Sequence, residues 1–282
     1  MIRAVRRPTA FLTSWMAASV LACAGLLAAP PACAIVGGTS TTEFGQVSFG
    51  VQVLPNWVVT ASHLNLGVGD TYSNGYGSAL IAAVYSFSTS GFPQDDITLV
   101  RLATAIDAPS LSLVADTLTA GGSYAIDATL TTGANQSPRG YGFSQVREFW
   151  STVDPDDSGP LGPVSANWLI TYTDGFTTPY VQGGDSGGGL FLGHVTSLAG
   201  GAPLWGIASA FISDLDANGN DINPRSGYVQ LASYRSWLDA TMAADTADTQ
   251  VLNWVTTAVP EPATALLMGL GLCGLARLRR RS

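Results

Sequence analysis

The stretch "GVQVLPNWVV" (residues 50–59) shows the constraint that governs this chain: strand-sized apolar runs, cut by turn formers and restarted within two residues. The pattern recurs along the 282 residues, where Val, Ile and Leu runs are separated by Gly, Pro, Asn and Asp. It favours an all-β domain over a helical one, and the length suits one large domain or two small ones. Cysteine placement adds a second constraint. Cys23, Cys33 and Cys273 are the three cysteines, so residues 34–272 contain none. The body can form no disulfide even in an oxidising compartment, and core burial must hold it together.

The chain has no lysine, and its arginines gather at the ends: Arg3, Arg6 and Arg7 open it, while Arg277, Arg279, Arg280 and Arg281 close it. Between Ile35 and Ala258 there are 5 Arg against 19 Asp plus Glu, a formal −14. Such a body repels nucleic acid and anionic lipid, so neither is expected as a partner.

Both termini read as addresses. Residues 1–34 carry a basic start, an apolar run from Phe11 to Ala29, and the A-x-A cleavage pattern "ACA" at Ala32, Cys33 and Ala34. A secretory signal removed by signal peptidase is the expectation; the competing reading is an uncleaved anchor. The C-terminal "VPEPATALLMGLGLCGLARLRRRS" (residues 259–282) orders a Pro-Glu-Pro element, about 14 apolar residues and an arginine cluster. It resembles the PEP-CTERM sorting signal of exported bacterial proteins, which implies an exosortase-type membrane enzyme as partner. The membrane is then met only through the terminal segments. Residues 243–258, rich in Ala, Asp and Thr, read as a linker.

Within the body, "QGGDSGGGL" (residues 182–190) sets Ser186 among glycines. A serine hydroxyl becomes a nucleophile only beside a base, commonly a histidine oriented by a carboxylate. The chain has two histidines. His194 lies eight residues past Ser186, beyond a short predicted strand, and is poorly spaced to fold back. His63 ends the apolar run "WVVTASH". In "DDITLVRL" (residues 95–102) two acids precede a strand, and Asp96 is better placed than Asp95 to point inward. The loop also fits G-x-S-x-G of α/β-hydrolases, but those run Ser, acid, His, with βαβ units around the serine. Here the order is His63, Asp96, Ser186.

Taken together, "WVVTASH", "DDITLVRL" and "GGDSGGGL" resemble the three catalytic motifs of the trypsin-like (chymotrypsin-fold) serine proteases. "IVGG" (residues 35–38) is similar to that family's mature N-terminus. "RGYG", "LWGIAS" and "GYVQLASYRSWL" are similar to later elements, so the likeness spans about residues 35–242. It implies two six-stranded antiparallel β-barrels, about 35–115 and 116–232, with a short C-terminal helix at 233–242. It implies His63, Asp96 and Ser186 as a triad, the Gly184 and Ser186 amides as an oxyanion hole, and Ser209 bonding the aspartate. It further implies that Asp185 pairs with the α-ammonium of a mature Ile35, and that no cofactor is used.

The sequence also departs from that pattern. The early hairpin before "GVQVLPNWVV" is trimmed, and Leu64, Gln182 and Gly189 replace two cysteines and a proline. At the pocket, Tyr180 takes the floor position, which is not acidic, and Phe211 a wall position. A bulky wall favours small apolar substrate side chains. "DLDANGND" (residues 214–221) partly resembles a calcium loop through Asp214, Asp216 and Asn218, but Arg225 stands at the twelfth position and a surface turn is the expectation. The expected activity is secreted serine endopeptidase acting on a protein or peptide. The alternatives are a catalytically silent protein of the same fold that acts by binding, and an esterase using the same residues.

Overall fold

The computed structural model describes residues 35–133, 139–154, 162–173 and 178–257. The segments carrying the export and sorting readings, 1–34 and 258–282, lie outside these residues. In chain order come β1 (Thr39–Thr41), β2 (Val51–Leu54), β3 (Trp57–Thr60), β4 (Thr71–Ser73), β5 (Ser78–Ser86), β6 (Thr98–Leu102) and β7 (Ser112–Val114). There follow β8 (Ile126–Thr131), β9 (Arg139–Val153), β10 (Val164–Tyr172), β11 (Gly189–Leu192), β12 (Leu204–Leu215) and β13 (Asp221–Gln230). Helix α1 (Arg235–Ala244) and β14 (Asn253–Val255) complete the order.

The architecture is all-β. In the second half the order β11-β8-β9-β10-β13-β12 closes on itself, because β11 also pairs antiparallel with β12. Six antiparallel strands thus form a closed barrel. The first half is a five-stranded antiparallel sheet, ordered β2-β3-β6-β5-β4, that stays open. Two short strands from the region expected to complete a first barrel pair elsewhere. β1 joins β9, and β7 lies parallel to both β12 and β14. Three residues carry too little side-chain area to set their own pairing, so their neighbours decide. Just before β1, Ile35 is fully buried in the closed barrel's core and Val36 bridges Tyr180.

Alternation builds the cores. In β3, Trp57 and Val59 face one apolar cluster while Val58 faces another, as the two-residue period of a strand requires. The Trp57 cluster joins the two sheets. Val51, Val53 and Leu99 of the open sheet meet Ile170, Phe191, Ile207 and Val229 of the barrel, with Leu238 and Met242 of α1. Those two helix residues are four apart and share a face. Burying a side chain of this kind contributes about 1.5–3 kcal/mol, which is how a body without cysteine is stabilised.

Residues 243–258, read above as a linker, are laid onto the body as far as Thr257. Asp245 accepts hydrogen bonds from Arg101 Nε (2.5 Å) and the Tyr85 hydroxyl (2.8 Å) of the open sheet. Asp248 accepts one from Trp57 Nε1 at 3.0 Å. β14 runs along β7, Trp254 Nε1 donates to Asp239 at 2.9 Å, and the Thr257 amide donates to Asp116 at 2.5 Å. This segment is a strap tying helix, open sheet and barrel together.

Candidate active site

His63 sits on a single 3-10 turn (Ser62–Leu64) that follows β3. The turn ends at Asn65, in left-handed backbone with φ 51°, whose side-chain amide donates to the His63 carbonyl at 2.8 Å. Asp96 lies two residues before β6, the antiparallel neighbour of β3, so pairing of the strands brings histidine and carboxylate to one sheet end. The His63 amide donates to Asp96 Oδ1 at 2.9 Å, and His63 Nδ1 meets Asp96 Oδ2 at 2.7 Å. Ser209 of β12 donates its hydroxyl to the same Oδ2 at 2.6 Å. An ionised carboxylate only accepts, so Nδ1 carries the imidazole proton and Nε2 is left as an acceptor. That nitrogen lies 2.8 Å from Ser186 Oγ. The structure therefore brings His63, Asp96 and Ser186 into one hydrogen-bonded line, with Ser209 behind the carboxylate.

Ser186 belongs to a loop of consecutive turns. The Asp185 amide donates to the Gln182 carbonyl at 3.0 Å, and the Gly188 amide to the Asp185 carbonyl at 3.0 Å. Two of its glycines adopt left-handed backbone, Gly184 at φ 99° and Gly187 at φ 82°. A side chain would strain either one, and at Gly187 a Cβ would also sit 2.5 Å from the Phe49 carbonyl. The loop is anchored to β12, because Gly187 donates to the Ala208 carbonyl and Ala208 to the Gly188 carbonyl, at 2.9 and 2.7 Å.

Asp185 is fully buried. Its Oδ2 accepts the Gln182 amide at 2.9 Å, while Oδ1 has no hydrogen-bond partner among the described residues. Burial pushes this carboxyl up to about 7, with the Gln182 amide pulling only partly the other way. The Tyr228 hydroxyl is likewise buried without a hydrogen-bond partner among the described residues, and burial followed by the Asp185 charge holds it well above the usual phenol range. Tyr228 and Ile35 share the closed barrel's core.

Some groups at the site were not singled out by the motifs. Asp95 is buried beside Asp96, in left-handed backbone with φ 43°. Its Oδ1 accepts the Tyr234 hydroxyl at 2.6 Å and the Ser165 hydroxyl at 2.7 Å. Burial and then the Asp95 bond raise Tyr234 above the phenol range, so it stays a donor. This network joins the Asp96 loop to β10 of the barrel and to the turn before α1. The Phe92 ring packs edge-on against the His63 ring, with centroids 5.3 Å apart, and shields one side of it from water. Two adjacent acids before a strand would have signalled the first of these; a lone Phe in a loop gives no such signal.

The remaining predicted residues make contacts of their own. The Tyr180 and Phe211 rings touch, with centroids 5.7 Å apart. His194 stacks on Phe143 and lies 3.7 Å from Asp127. In the loop read as a weak calcium candidate, Asp216 accepts the Asn218 and Asn220 amides, and Asp214 pairs with Arg225 at 2.5 Å. Asn218 contributes its amide to that turn. The acids are thus engaged by their own hairpin, and among the described residues no group of three His, Cys, Asp or Glu is placed to hold a metal ion.

Residues 258–281 match the family model described as the PEP-CTERM protein-sorting motif. The C-terminus is a sorting signal. The motif implies an exported protein that an exosortase-type enzyme recognises. Among the described residues no helix is long and apolar enough to cross a membrane; the sorting motif itself lies beyond them. No curated protein matches the chain.

Proposed function

We propose that the body is an exported serine endopeptidase. The observation that carries this reading is the line from Asp96 Oδ2 through His63 to Ser186 Oγ, with separations of 2.7 and 2.8 Å. In the proposed reaction Ser186 Oγ bonds to the scissile carbonyl carbon while His63 Nε2 takes its proton. The carbonyl π pair moves to oxygen, where the Gly184 and Ser186 amides receive the charge; one such donor contributes about 10²–10³ in rate. When the C–N bond breaks, the leaving amine takes the proton from His63. Water then repeats the sequence on the acyl-enzyme and releases the acid. Asp96 fixes the imidazole tautomer and stabilises the imidazolium.

Activation follows from Asp185. Its unpartnered, buried oxygen calls for a cation, because an uncompensated buried charge is costly. The α-ammonium created by cleavage after Ala34 is the natural candidate, since the A-x-A pattern abuts Ile35 directly. Ile35 is fully buried in the closed barrel's core, and in this reading cleavage comes during export and frees its ammonium. In this reading signal peptidase itself makes the active enzyme.

A fluorophosphonate probe on the exported protein tests the chemistry. Labelling of wild type, absent in Ser186→Ala and His63→Ala, supports it; an unlabelled wild type with an Ile35 terminus overturns it and leaves binding as the function. N-terminal sequencing tests the activation. Ile35 should open both wild type and Ser186→Ala, and a different start in either one removes signal peptidase as the activator.

A further inference from the structure

Asp95 stands at a joint between the two sheets, one residue before Asp96. The loop 91–96 enters β6 of the open sheet but lies on β10 of the barrel. The Phe92 ring rests against the Trp168 ring, with centroids 6.1 Å apart. The Asp95 amide donates to the Ser165 carbonyl at 2.8 Å. The Asp95 side chain adds a network with a fixed direction. The Asn167 side-chain amide donates to the Tyr234 hydroxyl at 3.0 Å and to the Ser165 hydroxyl at 3.3 Å. An amide N–H only donates and a hydroxyl has one proton, so each hydroxyl passes its own proton onward. Both go to a single atom, Asp95 Oδ1, at 2.6 Å from Tyr234 and 2.7 Å from Ser165. The network therefore demands an acceptor at position 95.

The backbone of Asp96 is set from the same place. The Ile97 amide donates to the Asp95 carbonyl at 2.7 Å, which closes a three-residue turn with Asp96 at its centre. Asp95 itself holds left-handed backbone, φ 43°, a conformation that asparagine and glycine adopt more readily than most residues. Asp96 thus has two holds on the barrel, one through its neighbour and one through the Ser209 hydroxyl on its own carboxylate. Asp96 in turn holds His63 at its amide and at Nδ1. We propose that Asp95 is a positioning residue for the endopeptidase reaction, resting on that reading: it acts through Asp96 to set the His63–Asp96 pair against the barrel loop that carries Ser186.

The test separates the acceptor from the backbone, in the exported chain with an Ile35 terminus. Asp95→Gly suits the left-handed backbone but removes the acceptor, whereas Asp95→Asn suits the backbone and keeps the acceptor. One readout is the rate of fluorophosphonate labelling at Ser186. The other is the low-field proton on His63 Nδ1 in a chain labelled with 15N-histidine. The chain has two histidines, so His194→Ala assigns the signal. Asp95→Gly should label about 10- to 100-fold more slowly, the scale expected when a catalytic group is misplaced by about 1 Å, and its Nδ1 signal should broaden. Asp95→Asn should restore most of the rate and the sharp signal. Ser165→Ala removes one of the two donors without touching residue 95, and should slow labelling in the same direction by less. Asp245→Ala loosens the other end of β6 and should leave the labelling rate unchanged, although it costs stability. Wild-type labelling that Asp95→Gly matches in rate, or an Asp95→Asn variant as slow as Asp95→Gly, overturns the positioning role and leaves the peptidase reading standing. So do rates that simply follow stability, Asp245→Ala included. A wild type that does not label overturns the peptidase reading, and the positioning role with it.

Discussion

The two β-sheets solve one problem in opposite ways. The barrel closes through β11 and β12, so every one of its six strands has two neighbours. The first sheet ends at β2 on one side and β4 on the other. Ser186 and Ser209 are set by the closed sheet, His63 and Asp96 by the open one. The hydrogen-bonded line proposed as catalytic, a role that demands placement to a fraction of an ångström, therefore spans a self-sufficient scaffold and one that borrows support. The loans are specific: Asp245 holds β5 and β6, Asp248 holds β3, and Asp95 ties the Asp96 loop to Ser165 and Tyr234.

The largest effect expected is catalytic and indifferent to which sheet is touched. Ser186→Ala and His63→Ala should each lower kcat by roughly 10⁴- to 10⁶-fold, and the double variant by no more than the worse single. Kinetics on one activated ester would check this; clearly additive losses would show that the two sheets do not act as one unit. Next comes pH. In a Ser186→Ala chain that keeps Ala34 before Ile35, Asp185 has a folded value of about 7 against an ordinary 3.8. Between these values the folded state holds a proton that the unfolded chain has released. Stability should therefore fall as pH rises from about 4 to 7, by roughly 4 kcal/mol, and level off above. Urea titrations at several pH values would show the slope, and Asp185→Asn should remove it.

The open sheet's debts predict the smaller effects. Asp245→Ala leaves Arg101 and Tyr85 unpaired and should destabilise the protein by about 2–4 kcal/mol. Amide exchange should quicken in β5 and β6 before it does in β9 and β10; uniform quickening would mean that the sheets share one stability. Tyr234→Phe deletes one donor to Asp95 and should cost about 1–2 kcal/mol by thermal denaturation.

What sequence could reveal divides along the same boundary. His63, Asp96 and Ser186 stand in local frames of small or apolar residues, "WVVTASH", "DDITLVRL" and "GGDSGGGL", whose purpose is local and therefore readable. The all-β class was readable too, from apolar runs cut by turn formers, whereas the barrels were implied only by the resemblance. The partners of β1 and β7 were not, because a three-residue strand takes its place from contacts scores of residues away. The strap was hidden for a related reason. Ala, Asp and Thr between residues 243 and 258 look like solvent-seeking filler; only the fold sets Asp245 under Arg101 and Asp248 under the Trp57 indole. Asp95 was set second because Asp96 stands nearer the strand, and along extended backbone neighbouring side chains point to opposite faces. Left-handed backbone at that residue breaks the alternation, and both acids end up buried.

The strap's last bonds also act as a mechanical clamp. Thr257 is fastened to Asp116, and three residues on stands Pro260, the first proline of the Pro-Glu-Pro element inside the sorting motif. Three residues reach at most about 10 Å. A body held by its C-terminus thus hangs on a very short leash, and tension on it enters through β14 and β7 at the seam between the sheets. For a body anchored in this way the strap would set its height above the anchoring surface, and lengthening the leash with inserted residues would change that height without touching His63, Asp96 or Ser186.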